Sequence, residues 1–281
     1  MEILTGKHYD DERALFMSRD LRLEHCSFHV GESPLKESRG LQLRECLFHW
    51  RYPLWYCKNV EVERCSFFAD TRAGFWYTDG LKMTDTVVDS PKNLRRCDGV
   101  ELRNVRFTGG DETLWACKNV KMQDCYCKGD YFAMNSENLE LENFTLVGKY
   151  SFDGVKNCVI RNSHLLTKDA FWNSENVTVI DSIISSEDIG WNSKNLTLIN
   201  CTVESLQGFC YIENLTLQNC RLPNTNLAFE YCTVDAEVKG HVDSILNPIS
   251  GKITVGSVGE LLLEPERIDP SKTEIIISGE E

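Results

Sequence analysis

Five of the six tryptophans in this 281-residue chain occupy the same place in a repeating pattern. In other repeats a charged side chain occupies that place. This tryptophan column holds the residues four places before each repeat start: Phe16, Lys36, Trp55, Trp76, Arg95, Trp115, Met134, Asp153, Trp172, Trp191 and Cys210. Aromatic rings stack on the faces of pyranose sugars, and polar neighbours bind the hydroxyls. If the column faces solvent, its chemistry suits a sugar chain.

The elements that position this column follow from the repeat itself. Asn195–Val203 is written again, with small changes, at residues 176–184 and 59–67. The repeat starts are Asp20, Gly40, Asn59, Gly80, Gly99, Asn119, Asn138, Asn157, Asn176, Asn195 and Asn214. Their spacing of 19–21 residues indicates a solenoid, in which each repeat makes one turn and contacts its neighbours.

Alternation within each repeat predicts strands rather than helices. The first and third residues after each start are apolar, as in Leu196 and Leu198, and the residue between them is mostly polar. Asn or Asp usually follows at the fifth place, where a left-handed residue would turn the chain. A leucine-rich repeat has a similar period, but its Asn would lie one place later and its helix would not fit.

The predicted fold is therefore all-β, a right-handed single-stranded parallel β-helix of about eleven coils with three short strands per coil. We expect one domain over residues 1–281, with an N-terminal cap at 1–13 and regular coils at 14–222. Residues 223–281 are expected to form irregular final coils and a C-terminal cap, because the period breaks after Pro223.

The cysteines and the charges also follow the repeat. Most of the thirteen cysteines recur at two fixed places, which predicts buried, reduced thiols in core columns rather than disulfides or a zinc site. The residue before each start alternates in sign along Lys118, Glu137, Lys156, Glu175 and Lys194. Opposite charges on adjacent parallel strands would attract and would fix the register.

Composition narrows the classes of function. A net charge of −13 argues against nucleic-acid binding, which needs a basic surface. The N-terminus has no apolar signal sequence and no stretch is long enough for a membrane span, so we expect a cytoplasmic protein with no membrane partner. No cofactor and no metal ion are expected.

The direction of the tryptophan column decides whether it can bind a ligand. The preceding residue is apolar or small in every repeat, as at Leu94 and Phe171, whereas the column itself includes Lys36, Arg95 and Asp153. An uncompensated charge in the core is costly, so we expect the column to face outward. The rim column, one residue later, would then edge it. The expected substrate-binding residues are Trp55, Tyr56, Trp76, Tyr77, Trp115, Asn135, Trp172, Asn173, Trp191 and Asn192.

Catalysis would need suitably placed carboxylates, about 5–9.5 Å apart for glycoside hydrolysis. The candidates are Asp111, Glu112, Asp130 and Asp153, with Arg95 and Arg96 available to bind a uronate carboxylate. Trp76 and Trp115 are expected to flank Arg95 at the centre of an elongated groove. Whether the protein is an enzyme stays open; an enzyme of this kind would be a glycoside hydrolase or a polysaccharide lyase.

The repeats resemble the pectin-lyase-like superfamily of right-handed β-helices. Residues 53–56, 129–132, 168–173 and 190–193 are similar to an uncharacterised bacterial family within it. The superfamily includes pectate lyases, polygalacturonases and pectin methylesterases, and the resemblance implies a site on the side that carries the tryptophan column. The polygalacturonase motifs and the lyase motif Arg-x-Pro-x-x-Arg are absent from this sequence, so the resemblance implies no particular reaction.

We therefore expect a carbohydrate-binding or carbohydrate-processing protein whose partner is an oligosaccharide or polysaccharide. The alternative is a non-catalytic scaffold or assembly module, whose aromatic face contacts another protein chain. A homo-oligomer is compatible with either function.

Overall fold

A computed structural model describes residues 1–279, and the chain divides into two compact units, Met1–Val147 and Gly148–Glu281. Each unit is a parallel β-solenoid, and each is described by itself. Over the described residues no helix has the length and apolar character to cross a membrane.

In the first unit, one side of the solenoid consists of strands that begin next to the repeat starts. These first-side strands are Glu2–Thr5, Arg19–Glu24, Arg39–Arg44, Lys58–Glu63, Asp79–Thr84, Asp98–Arg103, Lys118–Gln123 and Glu137–Glu142. They pair in parallel and in register, so that Val100 lies opposite Val120 on one neighbour and Leu81 on the other. The alternating apolar residues therefore form continuous inner columns.

The second side of this unit carries shorter strands, which follow the corner after each first-side strand. They are His8–Tyr9, Ser27–Phe28, Leu47–Phe48, Ser66–Phe67, Val87–Val88, Arg106–Phe107, Tyr126–Lys128 and Thr145–Gly148. A 3-10 helix spans Ala69–Thr71.

The second unit repeats the pattern with longer strands. Its first-side strands are Lys156–Arg161, Glu175–Ile180, Lys194–Ile199, Glu213–Arg221, Thr233–Leu246, Ser250–Leu262 and Thr273–Ile277. The other strands of this unit are His164–Thr167, Asp169–Ala170, Ile183–Ile189 and Thr202–Gln207. A 3-10 helix at Pro270–Lys272 precedes the last strand.

Left-handed residues form the corners, as the Asn and Asp pattern predicts. Asn195 at a repeat start and Asn200 at the following corner both have φ of 54°. Asn tolerates this region better than most residues, and Gly40, Gly80 and Gly99 occupy it without a steric penalty. Stacked corners are further joined by side-chain amides, since Asn195 Nδ2 donates to Asn176 Oδ1 at 2.8 Å.

The interior consists of apolar columns and thiols. Phe48 stacks between Phe28 and Phe67 with ring centroids 4.8 and 4.6 Å away. All thirteen cysteines are free and buried, which confirms their prediction as core residues. In the outer ladder, Lys118 pairs with Glu137 at 3.1 Å in the first unit, and Lys194 pairs with Glu213 at 2.8 Å in the second. The alternating charges therefore pair as predicted.

Two details of the predicted fold were wrong. Eight first-side strands in the first unit and seven in the second give about fifteen turns, more than the eleven predicted. The extra turns come from the ends of the chain: Glu2 pairs with Leu21, and the parallel ladder continues through Thr233, Ser250 and Thr273. The third strand of each coil is mostly replaced by turns, with isolated bridges such as Arg95 with Trp115.

Candidate functional site

The tryptophan column lies on the outer surface of both units. The preceding apolar column is buried, as at Leu54, Phe75 and Phe171, whereas the tryptophans are half-buried or exposed. The rim column that follows is left-handed, with φ of 56° at Tyr56 and 51° at Asn173. This conformation lets two successive side chains face outward before the chain turns inward again.

In the first unit the column forms a closed stack, which we name the Trp–Arg stack: Trp55, Trp76, Arg95 and Trp115. The rings of Trp55 and Trp76 are 5.1 Å apart and inclined by only 4°. The guanidinium carbon of Arg95 lies 4.5 Å from the ring centroid of Trp76 and 5.0 Å from that of Trp115. Arg95 is thus flanked as predicted, in a double cation–π arrangement.

Two indole N–H groups of the Trp–Arg stack donate hydrogen bonds to backbone carbonyls, whereas Arg95 Nε is buried without a partner. Trp55 Nε1 donates to the carbonyl of Ala73 at 2.5 Å, and Trp76 Nε1 donates to that of Lys92 at 2.7 Å. Because parallel rings cover one another's faces, the stack presents ring edges to solvent. This arrangement joins successive coils, and a role for these rings in binding a sugar stays a prediction.

The predicted catalytic residues of the first unit are largely engaged with neighbouring coils. Glu112 accepts a hydrogen bond from Arg95 Nη2 at 2.8 Å and lies 3.3 Å from Lys92 Nζ. Asp111 Oδ1 accepts from the backbone N–H of Asp130 at 2.8 Å. Glu112 is therefore neutralised by two cations.

The remaining predicted residues of this unit lie along the rim. Tyr56 and Tyr77 stack at 4.7 Å with an angle of 7°, and Arg96 and Asn135 are exposed. A role for any of these residues in ligand binding stays a prediction.

In the second unit the aromatic rings lie at angles to one another. This aromatic face consists of Tyr150, Trp172, Trp191, Tyr211 and Tyr231. Trp172 and Trp191 are 6.0 Å apart and inclined by 41°, and Trp191 and Tyr211 are 4.7 Å apart and inclined by 34°. The exposed fractions of Trp191 and Tyr211 are 42% and 41%. Tilted, exposed rings leave parts of their faces open to a ligand.

An amide ladder borders the aromatic face. Asn192 Nδ2 donates to Asn173 Oδ1 at 2.9 Å, and Asn173 Nδ2 donates to Asp153 Oδ1 at 2.8 Å. These are three of the residues predicted for the site, and both asparagines are exposed. The structure brings them together with Trp172 and Trp191.

A further set of side chains lies against the tryptophan column. This facing column holds the residues three places before it, among them Tyr52, Lys92, Glu112, Tyr150, Asp169, Asp188 and Gln207. Tyr52 lies 4.5 Å from Trp55, and Tyr150 lies 6.5 Å from Trp172. Gln207 donates to Glu230, which bridges to Cys210 of the tryptophan column.

Within this facing column, Asp169 and Asp188 are register partners on adjacent strands. Asp169 is only 3% exposed, whereas Asp188 is half-buried. Burial raises the pKa of Asp169 to about 6, with a further contribution from the negative charge of Asp188 and a hydrogen bond to it. The pKa of Asp188 is also raised, mainly by burial. At neutral pH the pair is strained, because burial disfavours charge and neighbouring carboxylates repel.

A cavity of about 430 Å³ lies in this unit, lined by residues that directly precede the carboxyl pair in the chain. Lys168 and Glu187, which precede Asp169 and Asp188 in sequence, line it together with Ser186, Ser205 and Asn224. Among the described residues no three His, Cys, Asp or Glu side chains are grouped to hold a metal ion.

Asp169 and Asp188 were not among the site residues predicted from the sequence. They directly follow Lys168 and Glu187 in the chain. The signal was present in the sequence, since two aspartates recur 19 residues apart at the same place. The charge ladder on the first side alternates in sign, whereas this pair does not.

Comparison with known proteins assigns the family. The chain matches the model of DUF3737, described as a protein of unknown function, over residues 2–276. It belongs to this family. No curated protein is significantly similar to it in sequence.

Solved structures are similar to this chain at low sequence identity. A mutant tailspike protein of E. coli bacteriophage HK620, in complex with a pentasaccharide, has 9% identity and a TM-score of 0.50; the match covers 92% of this chain and 70% of that one. The surface adhesin PfbA of Streptococcus pneumoniae has 8% identity and a TM-score of 0.36, with 92% and 80% covered. The A-module of Azotobacter vinelandii mannuronan C-5 epimerase AlgE6 has 11% identity and a TM-score of 0.33, with 97% and 88% covered.

Proposed function

We propose that this protein binds an oligosaccharide on the aromatic face of residues 148–281. The observation that carries the proposal is the tilt and exposure of Trp191 and Tyr211, whose rings are inclined by 34° and more than 40% exposed. Such rings supply flat apolar area for the faces of successive sugar units, and the neighbouring amides supply hydrogen bonds.

The surroundings of these rings favour a sugar over an apolar ligand. Asn173 and Asn192 edge the rings on one side, and Lys168, which lines the cavity, lies over the ring of Tyr150 at 5.9 Å. Sugar hydroxyls need many donors and acceptors at short intervals, and a solenoid provides one set per turn. The tailspike protein that shares the fold is bound to a pentasaccharide, which is consistent with this use of a β-helix.

The test begins with a glycan array probed with the purified protein, followed by titration of the best ligand with tryptophan fluorescence and calorimetry. Trp191→Ala and Tyr211→Ala should each weaken binding about tenfold or more, which corresponds to about 1.4 kcal/mol. Tyr56→Ala is the matched control, because it removes an exposed ring from the first unit and should leave the affinity unchanged.

The same experiment separates binding from assembly. The assembly alternative expects a stable oligomer in which quenchers no longer reach Trp191, together with no hit on the array. Equal loss of sugar binding in Trp191→Ala and Tyr56→Ala would contradict the placement of the site in residues 148–281.

A further inference from the structure

The carboxyl pair beside the aromatic face has an unusual environment for two buried acids. Asp169 Oδ1 is buried and has no hydrogen-bond partner. A buried acceptor without a donor is costly and is rare in folded proteins. The fold alone does not require such a pair at this place, since other turns carry Tyr150 or Gln207 there.

The charges around the pair are mostly negative. The positive charge of Lys168 opposes the rise in pKa of both carboxyl groups, but Lys168 is itself paired with Glu187 at 3.4 Å. Burial raises the pKa of the Cys210 thiol, and the negative charges of Asp188, Glu230 and Asp169 raise it further. Arg267, near Tyr211 and Tyr231, is paired with Glu264 at 3.2 Å. The site therefore carries an excess of negative charge.

The first unit shows how the same two columns look when a cation is present. There Arg95 lies between the rings of Trp76 and Trp115, and Glu112 of the facing column neutralises it. The second unit has tryptophans and acids in the corresponding columns, but its members of the tryptophan column, Asp153, Trp172, Trp191 and Cys210, include no arginine or lysine. Rings combined with carboxylates are the usual surroundings of a bound ammonium group.

We propose that the aromatic face recognises a sugar carrying a free ammonium group, which lies over the rings and is neutralised by Asp188 with Asp169 behind it. This inference rests on the proposed oligosaccharide site and adds the class of sugar. Asp188 is the half-buried member and makes the contact, while Asp169 adds a second negative charge behind it. Affinity therefore rises with pH through the range in which the pair titrates, as long as the amine of the sugar stays protonated.

The experiment compares the tetramer of β-1,4-linked glucosamine with its fully N-acetylated counterpart, which has the same backbone and no charge. At pH 7 the glucosamine tetramer should bind the full chain at least tenfold more tightly, and 0.5 M NaCl should reduce the difference severalfold. Asp188→Asn should abolish the preference. Asp181→Asn, an exposed corner residue of the same unit, controls for the change in net charge and should preserve it.

The outcomes distinguish this inference from the proposed function. Equal binding of both tetramers, or binding of other neutral glycans on the array with no preference for amines, overturns the ammonium site and leaves the sugar site standing. Tetralysine binding in the absence of any glucosamine binding overturns the sugar as the source of the ammonium. Absence of all glycan binding overturns both. If Asp188→Asn fails to fold, the salt dependence and pH dependence of the wild-type preference decide the question.

Discussion

The tryptophan column and the facing column have different geometries in the two units. In residues 1–147 the rings are parallel, their N–H groups are bonded, and Arg95 and Glu112 neutralise each other. In residues 148–281 the rings are tilted, and two neighbouring acids have only Lys168 near them, which is itself paired with Glu187. In the first arrangement the charges of Arg95 and Glu112 cancel and the stacked rings join successive coils. The second retains unmet electrostatic needs, which is typical of sites that wait for a ligand.

The comparison teaches that a column of tryptophans is not in itself a binding surface. At the spacing of parallel strands, about 4.8 Å, neighbouring rings can stack closely enough to cover each other. Only a departure from parallel stacking exposes ring faces. The relevant variable is therefore the inclination between adjacent rings, which is 4° for Trp55 and Trp76 but 41° for Trp172 and Trp191.

The largest expected effect comes from removing a ring of the Trp–Arg stack. Trp76→Ala deletes two ring contacts and the hydrogen bond to the Lys92 carbonyl, and it should lower the free energy of unfolding by about 2–4 kcal/mol, somewhat less than a fully buried tryptophan. Trp191→Ala should stay within about 1 kcal/mol of wild type. Urea denaturation of both variants measures the difference, and equal losses would break the distinction between the units.

A smaller and pH-dependent effect is expected at the carboxyl pair. The pKa of Asp169 is about 6 in the folded protein against an ordinary value of 3.8, so the folded state holds this proton more tightly than the unfolded chain. The stability associated with this group is therefore present below about pH 4 and is lost as the pH rises through 6. Asp169→Asn should be more stable than wild type at pH 7.5, by on the order of 1–3 kcal/mol, and should lose that advantage near pH 4.

Denaturation of wild type and Asp169→Asn at pH 4, 6 and 7.5 measures this difference. Asp181→Asn serves as the control, because its carboxylate is exposed and accepts a hydrogen bond from Asn200. A stability difference between wild type and Asp169→Asn that is the same at every pH would show that the pair is not under electrostatic strain.

The sequence was sufficient to predict the architecture, because every turn repeats the same spacing and the same alternation of apolar and polar residues. Leu196, Leu198 and the Asn at each corner repeat their environment in every coil, so one correct assignment extends along the chain. The coil count was too low because Glu2–Thr5 and the strands after Pro223 lack the Asn at the repeat start while still pairing in parallel with their neighbours. Backbone pairing does not depend on that Asn.

The inclination of the rings could not be predicted from the sequence, because the spacing of residues does not determine it. The sequence places Trp76 and Trp172 in one column, yet one stacks in parallel and the other is tilted. Asp169 and Asp188 were missed for a related reason. Their neighbours Lys168 and Glu187 form an ordinary exposed ion pair, and only the burial of the next residue shows which acids are strained.

The smallest expected effect tests whether the two scaffolds are equivalent beneath their different surfaces. Lys194→Glu puts a carboxylate between Glu175 and Glu213, and Lys121→Glu puts one between Glu101 and Glu140. Like charges on adjacent strands repel, so each variant should lower the melting temperature by roughly one or two degrees, and the loss should shrink in 1 M NaCl. Lys194→Gln and Lys121→Gln, which remove attraction without adding repulsion, should lose less. If only the second unit responds, its solenoid is weaker in general, and the strain at Asp169 is then a property of the scaffold rather than of a binding site.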